Sequence, residues 1–308
     1  MSDDVPFDLD FAPAAEACLD LSPLVRRVVA GNAGPFTFTG TCSYIVGRGR
    51  VAIIDPGPDR PDHVEALLAA VAGETVSHVV VSHTHRDHSP ASRAVAAATG
   101  AAIVGCGPHR RARPLAAGEA DAMEGSGDLD HVPDQPMEEG DAVSGPGWTL
   151  RALATPGHTA NHLAFALPEE EALFTADHVM AWLTTIVGPP DGSMSDFMAS
   201  LEKLRPRSDR VYWPGHGGPV TEPDRFVRAL IHHRRQREAS ILNRVGARDG
   251  TIPAMVGAIY PKLAPALRGA AGMSVFAHLE DLVGRGLVET DGPPRLDGSY
   301  RPGRAARP

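Results

Sequence analysis

Apolar residues fall into two kinds of run along this chain, and their spacing separates strands from helices. Residues 51–54 (VAII) and 78–82 (HVVVS) are compact β-branched runs that suit buried strands, and each ends in a loop crowded with reactive side chains. Between them Val64, Leu67, Leu68 and Val71 recur at helical spacing, which predicts a helix over 63–72. Past the second loop, Ser89 is placed to cap a helix with Pro90 at its first position, and Gly100 suits its end before a strand over 101–104. The order is β-α-β.

Residues 114–147 lack periodicity and are rich in Gly, Pro and acid, so they read as a mobile surface insertion or lid. Strands resume at 148–154, 162–167 and 172–175, the last two joined by the acidic turn 168–171. A helix at 195–204, a short strand at 210–213 and a long amphipathic helix at 223–245 follow, with no internal repeat. From 251 onward three short helical segments, 253–260, 263–270 and 274–285, precede a hairpin of 287–290 and 295–300 around Asp291-Gly292. Phe276, Leu279, Leu282 and Val283 make one apolar face of the last helix. Helix, helix, helix, wing is the order of a winged-helix module.

Composition adds the scale. With 308 residues, 43% of them apolar, the chain can bury a large core plus a small one, which places domains at 1–248 and 249–308. No run of about 18 apolar residues occurs, and the start MSDDVPFDLDF has acid where a signal peptide carries positive charge, so no membrane span and a cytoplasmic location are expected. Three widely spaced cysteines supply neither a disulfide framework nor a Cys-x-x-Cys metal clip. A net charge of −9 argues against a chain whose main task is coating nucleic acid. The charge is uneven, because residues 232–308 carry 12 Arg and Lys against 7 Asp and Glu.

The stretch VSHTHRDHSP, residues 81–90, sets three histidines and an aspartate within six positions. Clustered imidazoles are costly unless something partners them, and a metal does so. In an extended loop His83 and His85 point to the same side, while Asp87 and His88 come from the following turn and can face a second cation. His158 in TPGHT, Asp177 in FTADH and His216 in WPGHG bring the candidate ligands to seven. A set of His and carboxylate without thiolate suits zinc, and manganese or iron can occupy it too.

This pattern resembles the metallo-β-lactamase superfamily, in order from Asp55 to His216. The resemblance implies an αββα sandwich, here followed by a small winged-helix-like domain. It also implies a hydrolase with two divalent cations, whose shared hydroxide is the nucleophile. Carried over, His83, His85 and His158 hold one metal, Asp87, His88 and His216 the other, and Asp177 bridges them, with Asp87 also orienting the attacking hydroxide. Within the superfamily TPGHTANHLAF, DHVM, PPDGSMSDFMASLEKL and the tail look most like the lactamase-β-2-like proteins, which implies cleavage of single-stranded RNA. Related folds cleave acyl-carrier, coenzyme A or glutathione thioesters, which is the alternative. Readings of other classes are a nucleic-acid-binding regulator and an iron-dependent oxidoreductase. Ala176 stands where the family pattern has Gly, so an unstrained loop there must avoid a positive φ.

Further residues have two readings each. Asp55 in IIDPG can orient a ligand histidine or simply shape a turn. His178 can protonate a leaving group, and His162 can line the pocket, or both can be packed structural histidines. His63, His78, His109, His131, His232, His233 and His278 have no ligand context. The run HHRRQRE, 232–238, can grip an anionic substrate, RNA or acyl thioester, or form a solvated helix face. The tail can bind nucleic acid or serve in packing and in a homodimer; its third helix carries Glu280, Asp281 and Arg285 and is not basic.

Overall fold

A strand whose two faces are both apolar must lie between two layers, and residues 163–167 (LAFAL) do so. Leu163, Phe165 and Leu167 point into the core between two sheets, while Ala164 and Ala166 point into a second core beneath helices. The computed structural model describes residues 5–123, 125–247 and 250–304. The expected domain boundary at 248–249 falls outside the described residues.

The first sheet runs in order β1 (Leu19–Asp20), β2 (Val25–Val29), β3 (Cys42–Val46), β4 (Arg50–Ile54), β5 (Thr75–Val81), β6 (Ala102–Gly105) and β7 (Gln135–Pro136). It is antiparallel through β4 and parallel beyond. Helices α1 (Pro61–Ala70) and α2 (Ser92–Thr99) cover it, with Leu67 and Val95 in its core. The second sheet contains β8 (Ala142–Gly145), β9 (Trp148–Ala154), β10 (Leu163–Leu167), β11 (Ala172–Ala176) and β12 (Val211–Pro214). Its outer face packs on α3 (Met194–Leu204) and α4 (Pro223–Gly246). The architecture is αββα. Main-chain bonds stitch the sheets at one edge: Leu163 N donates to Ser82 O at 2.8 Å, and Cys42 N to Gly215 O at 2.8 Å. The loops after β4, β5, β11 and β12 meet there.

Helix α4 belongs to two cores. Phe226, Val227, Leu230 and Ile231 pack under the second sheet, whereas Ile241 and Val245 join the winged-helix core of α5 (Ile252–Ile259), α6 (Arg268–Gly284), β13 (Val288–Thr290) and β14 (Tyr300–Pro302). A continuous helix thereby fixes the tail against the sandwich. Among the described residues no helix is long and apolar enough to cross a membrane.

The sequence expectations need five corrections. Strands β1, β2 and β3 had no expectation, since Arg26 and Arg27 interrupt the apolar pattern of β2. Both are buried, Arg26 paired with Glu74 at 2.7 Å and Arg27 stacked 4.6 Å from the Phe11 ring. Ser89 does not cap α2, whose N-cap is Ala91; the Ser89 hydroxyl instead donates to Asp128 at 2.8 Å. The segments 263–270 and 274–285 are not two helices, because a short 3-10 turn at Pro265–Leu267 leads into one continuous α6. There Gly272 packs against Ile252, whose Cγ2 lies 3.5 Å from where a Cβ would stand. The wing's second strand begins at Tyr300, since 295–299 form the turn that the Tyr300 hydroxyl closes by donating to Arg295 O at 2.6 Å. Residues 114–147 are not one insertion: their second half supplies β7 and β8, and their first half pairs with the histidine loop through Arg86 N to Ser126 O at 2.9 Å.

Candidate metal centre

All seven candidate ligands converge. Atoms of His83, His85, His158 and Asp177 lie within 4.8 Å of one another, and so do those of Asp87, His88 and His216. Asp177 faces both groups. Its Oδ1 lies 3.4 Å from His88 Nε2 and 3.5 Å from His216 Nε2, and its Oδ2 lies 3.5 Å from His158 Nε2. Asp87 Oδ2 is 3.1 Å from His216 Nε2 and 3.6 Å from His88 Nε2. Of the seven side chains Asp87 is the one notably open to the cavity, at 27% exposure.

The chemistry of this cluster calls for a cation. His85 Nδ1 stands 2.9 Å from His158 Nε2, and His88 Nε2 stands 3.2 Å from His216 Nε2. Paired ring nitrogens need a proton or a metal between them. His83 Nε2 and Asp177 Oδ1 are buried with no hydrogen-bond partner, a cost that a bound cation removes. Burial pushes His83 well below its ordinary value and His85 down to about 3, which leaves neutral rings with lone pairs to offer. At the other group burial also depresses the histidines, but the Asp87 and Asp177 carboxylates outweigh it, holding His88 well above its ordinary value and His216 at about 9. Burial raises the two carboxyls in turn, and His88 and His216 overcome it and hold both well below the usual range. Metal binding there displaces protons.

Neighbouring groups fix which nitrogen four of the five rings present. Asp55 accepts from Ser82 N at 2.8 Å, from Ser82 Oγ at 2.6 Å and from His88 Nδ1 at 3.0 Å. Ser82 Oγ then accepts from His83 Nδ1 at 2.9 Å. His158 Nδ1 donates to Ile186 O at 2.7 Å and His216 Nδ1 to Gly40 O at 3.3 Å. Each bond leaves Nε2 turned to the centre. Asp55 therefore orients His88, a candidate ligand. Gly215 makes the close approach possible, since a Cβ there would lie 2.5 Å from Asp177 Oδ1 and 2.7 Å from His88 Cε1. Ala176 has φ +43°, so the loop keeps the left-handed turn that a glycine would take and carries strain instead of avoiding the positive φ.

Two sequence candidates lie behind the ligands. His178 has no exposed surface, rests 4.9 Å from the Phe197 ring, and is not on the cavity wall; burial takes it to about 3. This placement corrects the proton-donor reading of His178. His162 stacks 5.0 Å from His83 and bonds to Thr155 Oγ1 at 2.8 Å, again off the cavity wall. Within HHRRQRE, Arg234 is buried over Phe197 and donates to Thr185 O, whose hydroxyl donates to Asp177 O at 2.6 Å. Arg235 pairs with Glu202 at 2.9 Å. These arginines tie α4 to the sandwich, while His232, Arg235 and Gln236 of the same run stay exposed.

Sequence reasoning missed a buried group beside the ligand loop. His109 Nδ1 lies 2.9 Å from Thr84 Oγ1, which accepts from Asn161 Nδ2 at 3.1 Å, and His109 Nε2 faces Asp191 at 3.3 Å. The PPDG turn was the available signal for Asp191, but nothing local links it to His109.

The centre opens into a cavity of about 500 Å³ whose walls are Phe36, Met123, Met180, Leu183, Ile186 and Met273, with Asp87, His158 and Asp177 at its floor. Residues 36–216 match the family model described as Metallo-beta-lactamase superfamily, and 251–294 match the beta-lactamase associated winged helix domain. A beta-lactamase-like protein 2 homolog from Caenorhabditis elegans is 30% identical, with 87% of each chain covered. An atrochrysone carboxyl ACP thioesterase from Aspergillus fumigatus is 35% identical over 72% of this chain, which spans 65% of that relative's length. The crystal structure of a metallo-beta-lactamase family protein from Thermus thermophilus superposes with a TM-score of 0.73 at 25% identity, covering 92% of this chain and 100% of its own.

Proposed function

Since the chain belongs to the metallo-beta-lactamase superfamily, and is on that ground a hydrolytic enzyme, we propose that it hydrolyses thioesters of apolar acyl groups, with two divalent cations as cofactors. His83, His85 and His158 would hold one cation, Asp87, His88 and His216 the other, with Asp177 shared. Bound divalent cations supply Lewis acidity, which lowers the pKa of water and polarises a carbonyl. Asp87, open to the cavity, accepts and orients the proton of the attacking water.

The observation that carries the substrate class is the cavity wall. Besides the candidate ligands, the one charged side chain among its described lining residues is Arg86, whose Nε donates to Gly127 O at 3.0 Å. RNA needs several cations and stacking surfaces, whereas an acyl group needs apolar walls that exclude water. The leaving group agrees. Hydrolysis forms a C–O bond, breaks the C–S bond and releases a thiol whose pKa of about 8.5 lets it depart as thiolate without a proton donor. With His178 behind the candidate ligands, no histidine beyond those ligands stands on the described wall to protonate the more basic alkoxide of RNA. Relatives described as acyl-carrier thioesterases support the same class.

The test is a panel of acyl thioesters, single-stranded RNA, a phosphodiester reporter and a cephalosporin with metal-replete protein. Thioester turnover is expected to dominate. RNA cleavage without thioester hydrolysis would reverse the assignment.

A further inference from the structure

The metal-side cavity has a neighbour. A second cavity of about 700 Å³ lies between the first half of the insertion, α6 and the wing, and its walls include Ala122, Pro189, Pro253, Met273 and Phe276. Ala122 and Met273 line both cavities. From this continuity we infer that the second cavity is a distal subsite for the apolar acyl chain, entered past Met273, which thereby sets acyl length. The inference rests on the thioesterase reading and names its substrate as an acyl group long enough to reach beyond the metal-side cavity.

Three observations support it. The space is built and held: Arg295 donates to Gly118 O at 2.9 Å and to Ala117 O at 3.2 Å, while Arg113 bonds Glu119 at 2.7 Å and Glu280 at 2.7 Å. The wing and α6 are thus clamped to the insertion across the cavity roof. The charged groups at its rim already have partners, Glu119 in Arg113 and Arg295 in two carbonyls and in Asp297 at 3.7 Å, so an incoming ligand meets no unpaired charge. Apolar ligand surface is what remains to be buried. The residue between the cavities is a half-buried methionine, an unbranched side chain that changes rotamer at low cost, which suits a gate. This also gives the winged-helix module a role. Its helix α6 turns Val275, Phe276, Leu279 and Leu282 inward and offers Met273 to both cavities, so its apolar face forms cavity wall and core.

The experiment compares acetyl and dodecanoyl thioesters of N-acetylcysteamine on the full-length, metal-replete chain. Thr251 and Leu296 line the second cavity and not the first. In Thr251→Trp and Leu296→Trp proteins whose Tm matches the wild type, the dodecanoyl-to-acetyl ratio of kcat/KM should fall by about tenfold or more, chiefly through KM. Met273→Ala should raise that ratio. An unchanged ratio in both tryptophan variants overturns the subsite and leaves the thioesterase reading standing. Calorimetry with the thioether S-dodecyl-N-acetylcysteamine reads the subsite without turnover. Binding by the wild type with about tenfold weakening in Thr251→Trp supports it even if neither thioester is hydrolysed, an outcome that would sink the thioesterase reading. Equal affinity in both proteins, or none in the wild type, overturns the subsite.

Discussion

Asp191, with no exposed surface, places its carboxylate 3.3 Å from His109 Nε2, and His109 reaches Thr84 between the candidate ligands His83 and His85. Neither Asp191 oxygen has an aligned hydrogen bond, so the two groups meet by proximity alone. Asn161 joins the same threonine to the loop of His158. The group thus ties together the three histidines that cluster with Asp177. Asp191→Asn should weaken metal binding by about tenfold, the usual scale for an outer-shell partner. Competition with a chromogenic chelator measures it. A lower Tm of the metal-free protein with unchanged metal affinity would make Asp191 merely structural.

Gly215→Ala should be far more damaging than its single methyl suggests. The added Cβ would stand 2.5 Å from Asp177 Oδ1, so the carboxylate between the two ligand groups must move. A displacement on the order of 1 Å costs about a hundredfold in rate. Elemental analysis should return about two metals per chain for the wild type and fewer for the variant. Retention of both metals with near-normal turnover would show that the loop relaxes freely.

Ala176→Gly should stabilise the protein. A left-handed alanine carries roughly 1–2 kcal/mol of strain, part of which the entropy of an unfolded glycine offsets. A rise in Tm of about 2 °C is expected in the metal-free protein, followed by calorimetry. A fall in Tm would mean that the alanine methyl packs well enough to outweigh its φ of +43°.

His278 makes stability depend on acid. Burial, reinforced by Arg234 and Arg285, lowers it to about 3, and neither ring nitrogen has a hydrogen-bond partner. In the unfolded chain it takes up a proton near 6.5. Its contribution is therefore whole above pH 6.5 and is lost as pH falls toward 3, at up to about 1.4 kcal/mol per unit. His278→Leu should lose about 3 kcal/mol less than the wild type between pH 7 and pH 4 in urea unfolding of the metal-free proteins. Parallel pH curves would show that His278 gains a proton partner in the fold.

Residue type and order alone picked out the seven side chains that converge, and the family resemblance they carry implied the layering. Ligand chemistry admits few side chains, and each ligand sits in a short loop at a strand end, where local pattern is strong: His83 to His88 after β5, His216 after β12. The alternation in LAFAL likewise carries its own burial. What the tertiary structure decided involves residues whose meaning depends on a distant partner. VRRVV is a buried strand because Glu74 and Phe11 receive its arginines, and Arg234 supports the loop of Asp177 because α4 crosses behind it. Asp191 meets His109 across 82 positions of chain, and Met273 becomes a cavity wall because α6 turns toward the sandwich. Short-range spacing encodes the direction of a side chain, but not which remote surface will face it. That follows from the packing of whole layers, where burial of apolar area chooses the neighbours and the polar groups must find partners among them.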